Sequence, residues 1–84
     1  MGNNRDTYRY ELRDRRGRVL YVGITNDVDR REDEHRDEGK RFFDMYIMGP
    51  RVTRESAERW EEERLASYRR NHGGKNPRYN KTRT

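Results

Sequence analysis

Apolar and polar positions alternate strictly from Thr7 to Arg13, with Tyr8, Tyr10 and Leu12 on one side and Arg9, Glu11 and Arg13 on the other. A period of two predicts a strand with one buried face. Asp14-Arg15-Arg16-Gly17 has turn chemistry, and Gly17 is free to take positive φ. Arg18 to Ile24 returns as a second strand through a β-favouring Val, Leu, Tyr and Ile run. With those four residues as the loop, Tyr10 sits across from Tyr21 in an antiparallel hairpin.

The period then changes. Thr25-Asn26-Asp27 reads as a helix start, where Asn26 or Thr25 can cap and Asp27 and Asp29 suit the positive end of the dipole. The helix runs from about Asp27 to Glu38 and stops at Gly39. Its one apolar residue near the start, Val28, must face the protein. Arg31 and His35, three and seven residues on, share that side, while Arg30 points away. Phe42 to Met48 is the third strand, ended by Gly49-Pro50. Thr53 caps a second helix, Arg54 to Asn71, closed by Gly73-Gly74. Its inward stripe is Ala57, Trp60, Leu65 and Tyr68. The helical wheel adds Glu61 and Arg64 to that stripe and leaves Glu62 and Glu63 outside. Asn76-Pro77-Arg78-Tyr79-Asn80 reads as a loop folding back; His72 lies in a Gly-rich loop and is assigned no role. The order is that of an α+β domain spanning residues 1–84, with 1–6 and 81–84 frayed.

Composition tests that picture. Charged residues make up 44% of the chain and hydrophobic ones 27%. Leu, Ile, Val and Phe total only 11 of 84, a content usual for disordered chains. Six Tyr, two Phe and one Trp argue for a folded domain, because aromatics carry large buried area per residue. The absence of cysteine excludes a disulfide scaffold and a thiolate zinc site. No run approaches the roughly 20 apolar residues of a membrane helix, and no signal-peptide core appears, so no membrane partner and a cytoplasmic location are expected. Met1-Gly2 lacks the Ser/Thr that a myristoylation signal needs, Asp6 standing there, and the Asn80-Lys81-Thr82 sequon is read as chance.

The net charge of +5 is uneven: residues 21–64 carry nine basic and thirteen acidic groups, and residues 65–84 carry six basic groups and no acid. Basic ends are either a solvated surface or the frame of a polyanion site. An aromatic hydroxyl, an arginine and a histidine converge where the second strand meets the first helix, and that reads as a site. The opposed tyrosines taken alone read as packing. Glu61, a carboxylate inside an apolar stripe, is either an ion-pair partner of Arg64 or Arg31 or a metal ligand. Mg²⁺ suits a single protein carboxylate, because water and substrate phosphates complete its shell. Asn80 either hydrogen-bonds the site or caps a turn.

Taken together these residues resemble the GIY-YIG nuclease domain over about Tyr8 to Asn80. Tyr8-Arg9-Tyr10 stands where the family has Gly-Ile-Tyr, and Tyr21-Val22-Gly23 where it has Tyr-Ile-Gly. Arg31 and His35 match its arginine and the His/Tyr four residues later. Ala57, Glu61 and Leu65 match its helix motif, and Pro77, Tyr79 and Asn80 its ending. Tyr8 and Arg9 depart from the pattern. So does Ile24, where relatives often have a polar or basic side chain whose role is either absent here or filled elsewhere, by Lys40. The resemblance implies a three-stranded antiparallel sheet flanked by helices, in agreement with the order above. It further implies a metal-dependent endonuclease that hydrolyses phosphodiester bonds, most readily in DNA, with Mg²⁺ (or Mn²⁺) on Glu61 and no small-molecule cofactor. Arg31 would hold phosphoryl oxygens, Tyr10 or Tyr21 would take a proton from water, His35 would bond that water or tyrosine, and Asn80 would orient the site, with Gly23 structural. Lys40, Arg41, Lys75, Arg78 and Lys81 are the expected nucleic-acid contacts, and a protein partner would supply target specificity. The alternatives are a nucleic-acid-binding module of the same fold with little activity, and a basic interaction domain.

Overall fold

A computed structural model describes residues 4–80. Strands β1 (Arg5–Arg13) and β2 (Val19–Thr25) form a hairpin; helix α1 (Val28–Asp37), strand β3 (Asp44–Ile47), strand β4 (Val52–Thr53) and helix α2 (Arg54–Asn71) follow. The fold is α+β. Its sheet is antiparallel, in the order β2-β1-β3, with β4 also paired to β1. The second helix has the bounds and the cap its sequence predicts, Thr53 Oγ1 accepting the Ser56 N–H at 3.2 Å.

Four expectations need correction. Arg5 and Asp6 are not frayed but open β1, because β4 pairs with that end of the strand; residues 1–3 and 81–84 lie outside the described residues. The third strand is Asp44–Ile47, shorter than Phe42–Met48, and β4 is a fourth. The cap of α1 is neither Asn26 nor Thr25 but Asp27, whose carboxylate accepts the Arg30 N–H at 3.1 Å. Finally, Tyr10 pairs with Gly23 and Tyr21 with Leu12: Arg13 pairs with Val19 rather than Arg18, and a bulge between Leu12 and Arg13 adds one residue more, so the register differs from the expected one by two. A shift of two leaves every side chain on its own face. The tyrosines therefore remain neighbours, diagonally, with ring centres 6.0 Å apart.

The expectation of one buried face for β1 is also incomplete. Tyr10, Leu12 and Phe42 form the core on one side, flanked by Leu20, Tyr21, Met45 and Ile47. On the other side Glu11 is only 1% exposed. Its carboxylate takes Arg13 Nη2 at 2.8 Å and Arg64 Nε at 2.6 Å. Tyr10 reaches His35 of α1 and Glu11 reaches Arg64 of α2, so the helices cover opposite faces of the sheet.

Candidate functional site

The site starts at the strand-to-helix junction. Thr25 Oγ1 accepts the Asp27 N–H at 3.0 Å and Asp27 then caps α1, so the helix leaves β2 in a defined direction. The phase of α1 follows: the Arg31 side chain is 30% exposed and that of Arg30 65%. One turn further His35 is fully buried. Its Nε2 lies 2.7 Å from Tyr10 Oη, and its ring meets the Tyr21 ring edge-on at 4.7 Å. Arg31 Nη2 donates to Tyr21 Oη across a long 3.5 Å, and Arg31 Nη1 to Glu34 Oε1 at 2.9 Å. The Lys40 ammonium lies 5.5 Å from the centre of the Tyr21 ring and is bonded to Glu38.

Gly23 makes this packing possible. A Cβ there would lie 2.6 Å from Tyr10 Oη and 2.7 Å from a Tyr21 ring carbon. The glycine is required by space between the two rings and not by backbone conformation, since its φ is not positive.

Electrostatics separate the two tyrosines. Burial, then the neighbouring Tyr21, hold the Tyr10 hydroxyl far above the ordinary phenol range, so it stays protonated. Tyr21 is half-buried and reaches a cleft. Burial, then the Arg31 and Lys40 charges, bring His35 down to about 4, so the ring is neutral at pH 7. The 3.9 Å approach of its Nδ1 to Glu38 is accordingly no ion pair at that pH, and Nδ1 is buried without a hydrogen-bond partner. Burial works against the Arg31 charge, but its bonds to Glu34, Tyr10 and Tyr21 outweigh that and raise it above the ordinary value.

Asn80 lies at the outer edge of β2. Its Oδ1 accepts the Val22 N–H at 2.7 Å and its Nδ2 donates to the Val22 carbonyl at 3.0 Å. The amide completes the outer edge of β2, and the Tyr79 N–H bonds the Leu20 carbonyl beside it at 2.8 Å. Asn80 positions the strand that bears Tyr21 and Gly23. A cleft of about 550 Å³ opens here, lined by Tyr21, Glu38, Gly39, Lys40, Tyr79 and Asn80.

Glu61 stands apart. It is half-buried on α2, across the sheet from the hydroxyls, and Arg64 pairs with Glu11 rather than with it. Among the described residues no hydrogen bond or ion pair joins Glu61 to Tyr10, Tyr21, Arg31 or His35. Burial, then the Glu58 carboxylate, push the Glu61 carboxyl up. A carboxylate beside Glu58 and Glu62, its charge offset only in part by Arg54, is an oxygen donor of the kind magnesium takes. No group of three His, Cys, Asp or Glu able to hold a metal occurs among the described residues. Arg41, Lys75 and Arg78 are exposed, Lys40 is half-buried, and Lys81 lies outside the described residues. Sequence reasoning missed Glu34 and Glu38, although each lies three residues after Arg31 or His35, a spacing that brings side chains together. Glu11 left no such signal, because alternation assigns it to the polar face.

Comparison with protein-family models, curated proteins and solved structures finds no match for this chain. Among the described residues no helix is long and apolar enough to cross a membrane.

Proposed function

We propose that this protein is a small cytoplasmic endonuclease of the GIY-YIG kind, hydrolysing phosphodiester bonds in nucleic acid, DNA first. One observation carries the reading. Half-buried Tyr21 stands at a cleft with its hydroxyl beside Arg31 and its ring under Lys40, backed by a fully buried Tyr10–His35 pair. One cation at the hydroxyl and a second over the ring suit a phosphate diester and the charge that builds on it. Arg31 binds the phosphoryl oxygens, the phosphate taking the place of the Glu34 carboxylate. The Tyr21 hydroxyl holds the attacking water, takes its proton and passes its own to a phosphoryl oxygen, from which the leaving alcohol oxygen is protonated as its P–O bond breaks. Tyr10 stays protonated and, bonded to His35, fixes the ring against which Tyr21 packs. Asn80 holds the edge of β2. The resemblance assigns a divalent cation, Mg²⁺ or Mn²⁺, to Glu61, which would hold it across the sheet from Tyr21 and Arg31 and supply positive charge on that side. Lys40, Arg41, Lys75 and Arg78 add phosphate contacts, and a protein partner selects the target.

The placement of Glu61 away from the hydroxyls favours a second reading, a nucleic-acid-binding module of this fold with little activity. Cleavage of plasmid, branched DNA, single strands and RNA, with and without Mg²⁺, separates the two. The nuclease reading expects Mg²⁺-dependent cutting that Arg31→Ala abolishes and Arg30→Ala leaves largely intact. Binding without cutting on every substrate supports the module. Equal losses in the two arginine variants would mean that bulk charge alone is at work.

A further inference from the structure

Across the sheet from the hydroxyls, a second cleft of about 600 Å³ separates the start of β2 from the C-terminal end of α2. Arg18, Val19, Arg64, Tyr68, Asn71 and His72 line it. We propose that this cleft binds a nucleotide unit, the base on the Tyr68–His72 ring pair and the phosphate on Arg18 and Arg64.

The base platform is built. The two rings stack at 3.7 Å between centres and 4° between planes. His72 Nδ1 donates to the Tyr68 carbonyl at 2.8 Å, so the exposed ring is pinned to the last turn of α2. A flat aromatic surface held this way offers its outer face to another flat group without first losing freedom. That bond also makes Nε2 the unprotonated nitrogen of the neutral ring, an acceptor for a base N–H.

The phosphate side is cationic and has no carboxylate among its lining residues. Arg64 binds the buried Glu11 through Nε, and Arg13 binds the other oxygen of the same carboxylate. One carboxylate therefore serves two guanidiniums, and the cluster keeps a net positive charge. Glu11 also fixes the guanidinium plane, so that the rest of its donor fork is held in place. Arg18 is exposed at the turn, its own N–H held by Asp14 Oδ1 at 2.9 Å. Asn71 adds an amide with both donor and acceptor. A bare anion would use the arginines and leave the rings idle, and an apolar ligand would strand the arginines. A nucleotide uses both, and the volume lies in the range of small-ligand sites. None of these residues touches Tyr21, Arg31 or His35, so the inference does not rest on the hydrolytic reading.

The source is a free nucleotide or one residue of a single strand, and the test separates them. The whole protein, without Mg²⁺, is titrated with inorganic phosphate, with AMP and with a short oligoadenylate, followed by NMR and calorimetry. AMP should move the His72 and Tyr68 ring signals and the Asn71 amide in one saturable process, and phosphate should bind at least about tenfold more weakly. His72→Ala should weaken AMP roughly tenfold or more while leaving phosphate unchanged, in line with the loss of one stacking partner. Arg18→Ala should weaken both ligands. Both variants lie on exposed positions, and an unchanged melting curve establishes that they fold. An oligoadenylate at least tenfold tighter than AMP would identify a strand as the occupant, and equal affinity a free nucleotide. Equal binding of phosphate and AMP, unchanged AMP affinity in folded His72→Ala, or shifts confined to Tyr21 and Lys40 would overturn the proposal. Loss of DNA cleavage in Arg31→Ala with AMP binding intact would test the other site and leave this one standing.

Discussion

The two tyrosines share a face, a sheet and a chemical group, yet their surroundings assign them different work. Tyr10 is sealed between Gly23 and His35, and its proton is held by burial; Tyr21 has a cleft on one side and two cations over it. The sequence shows which face each occupies but not its depth, since alternation carries no information about what covers the strand. Tyr21→Phe should therefore lower the turnover of DNA cleavage at least about 100-fold, as loss of a proton-transferring group does, with little change in melting temperature. Tyr10→Phe should act mainly on stability, by about 1–3 kcal/mol for the stranded His35 nitrogen. Equal turnover losses with equal stability would make the hydroxyls interchangeable. His35 gives a pH test. Its pKa falls from an ordinary 6.5 to about 4 on folding, so protonation favours the unfolded chain. Its contribution is fully present above about pH 6.5 and is lost as pH falls toward 4, up to roughly 3 kcal/mol. Urea titrations at pH 7 and pH 5 should show that slope, and His35→Gln should flatten it. The window lies above the region where Glu38 and Asp14, held low by Lys40 and by the Arg18 N–H, lose their own contributions.

Among the elements, β1 is the strand around which the others assemble, and it is covered on both faces. Its pattern of alternating charge conceals this, because the charged Glu11 is buried by pairing with its strand neighbour Arg13 and with Arg64, far along the chain on α2. Local reading recovered the hairpin, both helices and the inward face of α2, where periodicity is sustained over many residues. It missed β4, which has two residues and no period, and the bulge that resets the register. It separated Arg31 from Arg30 correctly, since a helix phase needs only one apolar anchor, here Val28. The outer edge of β2 is closed by one side chain from the far end of the chain, a contact no local pattern can show. Asn80→Ala removes both bonds to Val22 and leaves its backbone groups unpaired in a half-buried place. Stability should drop by about 1–3 kcal/mol, and amide exchange at Val22 should quicken while β1 exchange follows the global change only. Unchanged exchange at Val22 would mean that water replaces the amide at no cost. Gly23→Ala should be worse, since a Cβ at 2.6 Å from the Tyr10 oxygen must displace a core ring.

Over the whole molecule the sheet divides the chemistry. The hydroxyls, Arg31 and His35 lie under α1, and Glu61 lies on α2 beyond the opposite face. Sequence reasoning reached Glu61 by a wheel, which finds the inward side of a helix but not the object it faces. The consequence is a sharp test of the metal. Among the described residues Glu61 has no ion-pair partner, and burial and Glu58 disfavour its charge. A carboxyl whose folded pKa is raised costs stability at neutral pH, so Glu61→Gln should leave the melting temperature unchanged or raise it. A structural ion-pair partner would lower it. If Mg²⁺ binds at Glu61, the ion should raise the melting temperature of the parent and not that of Glu61→Gln. That variant should lose nearly all cleavage and bind DNA as tightly as the parent or more so, because one repelling charge is gone. Glu62→Gln, exposed on the same helix, should match the parent in every respect. A Glu61→Gln protein that cuts at the parental rate, with equal Mg²⁺ protection, would remove the metal from this carboxylate. The hydroxyl face would then have to account for the reaction through Tyr21, Arg31 and Lys40 alone.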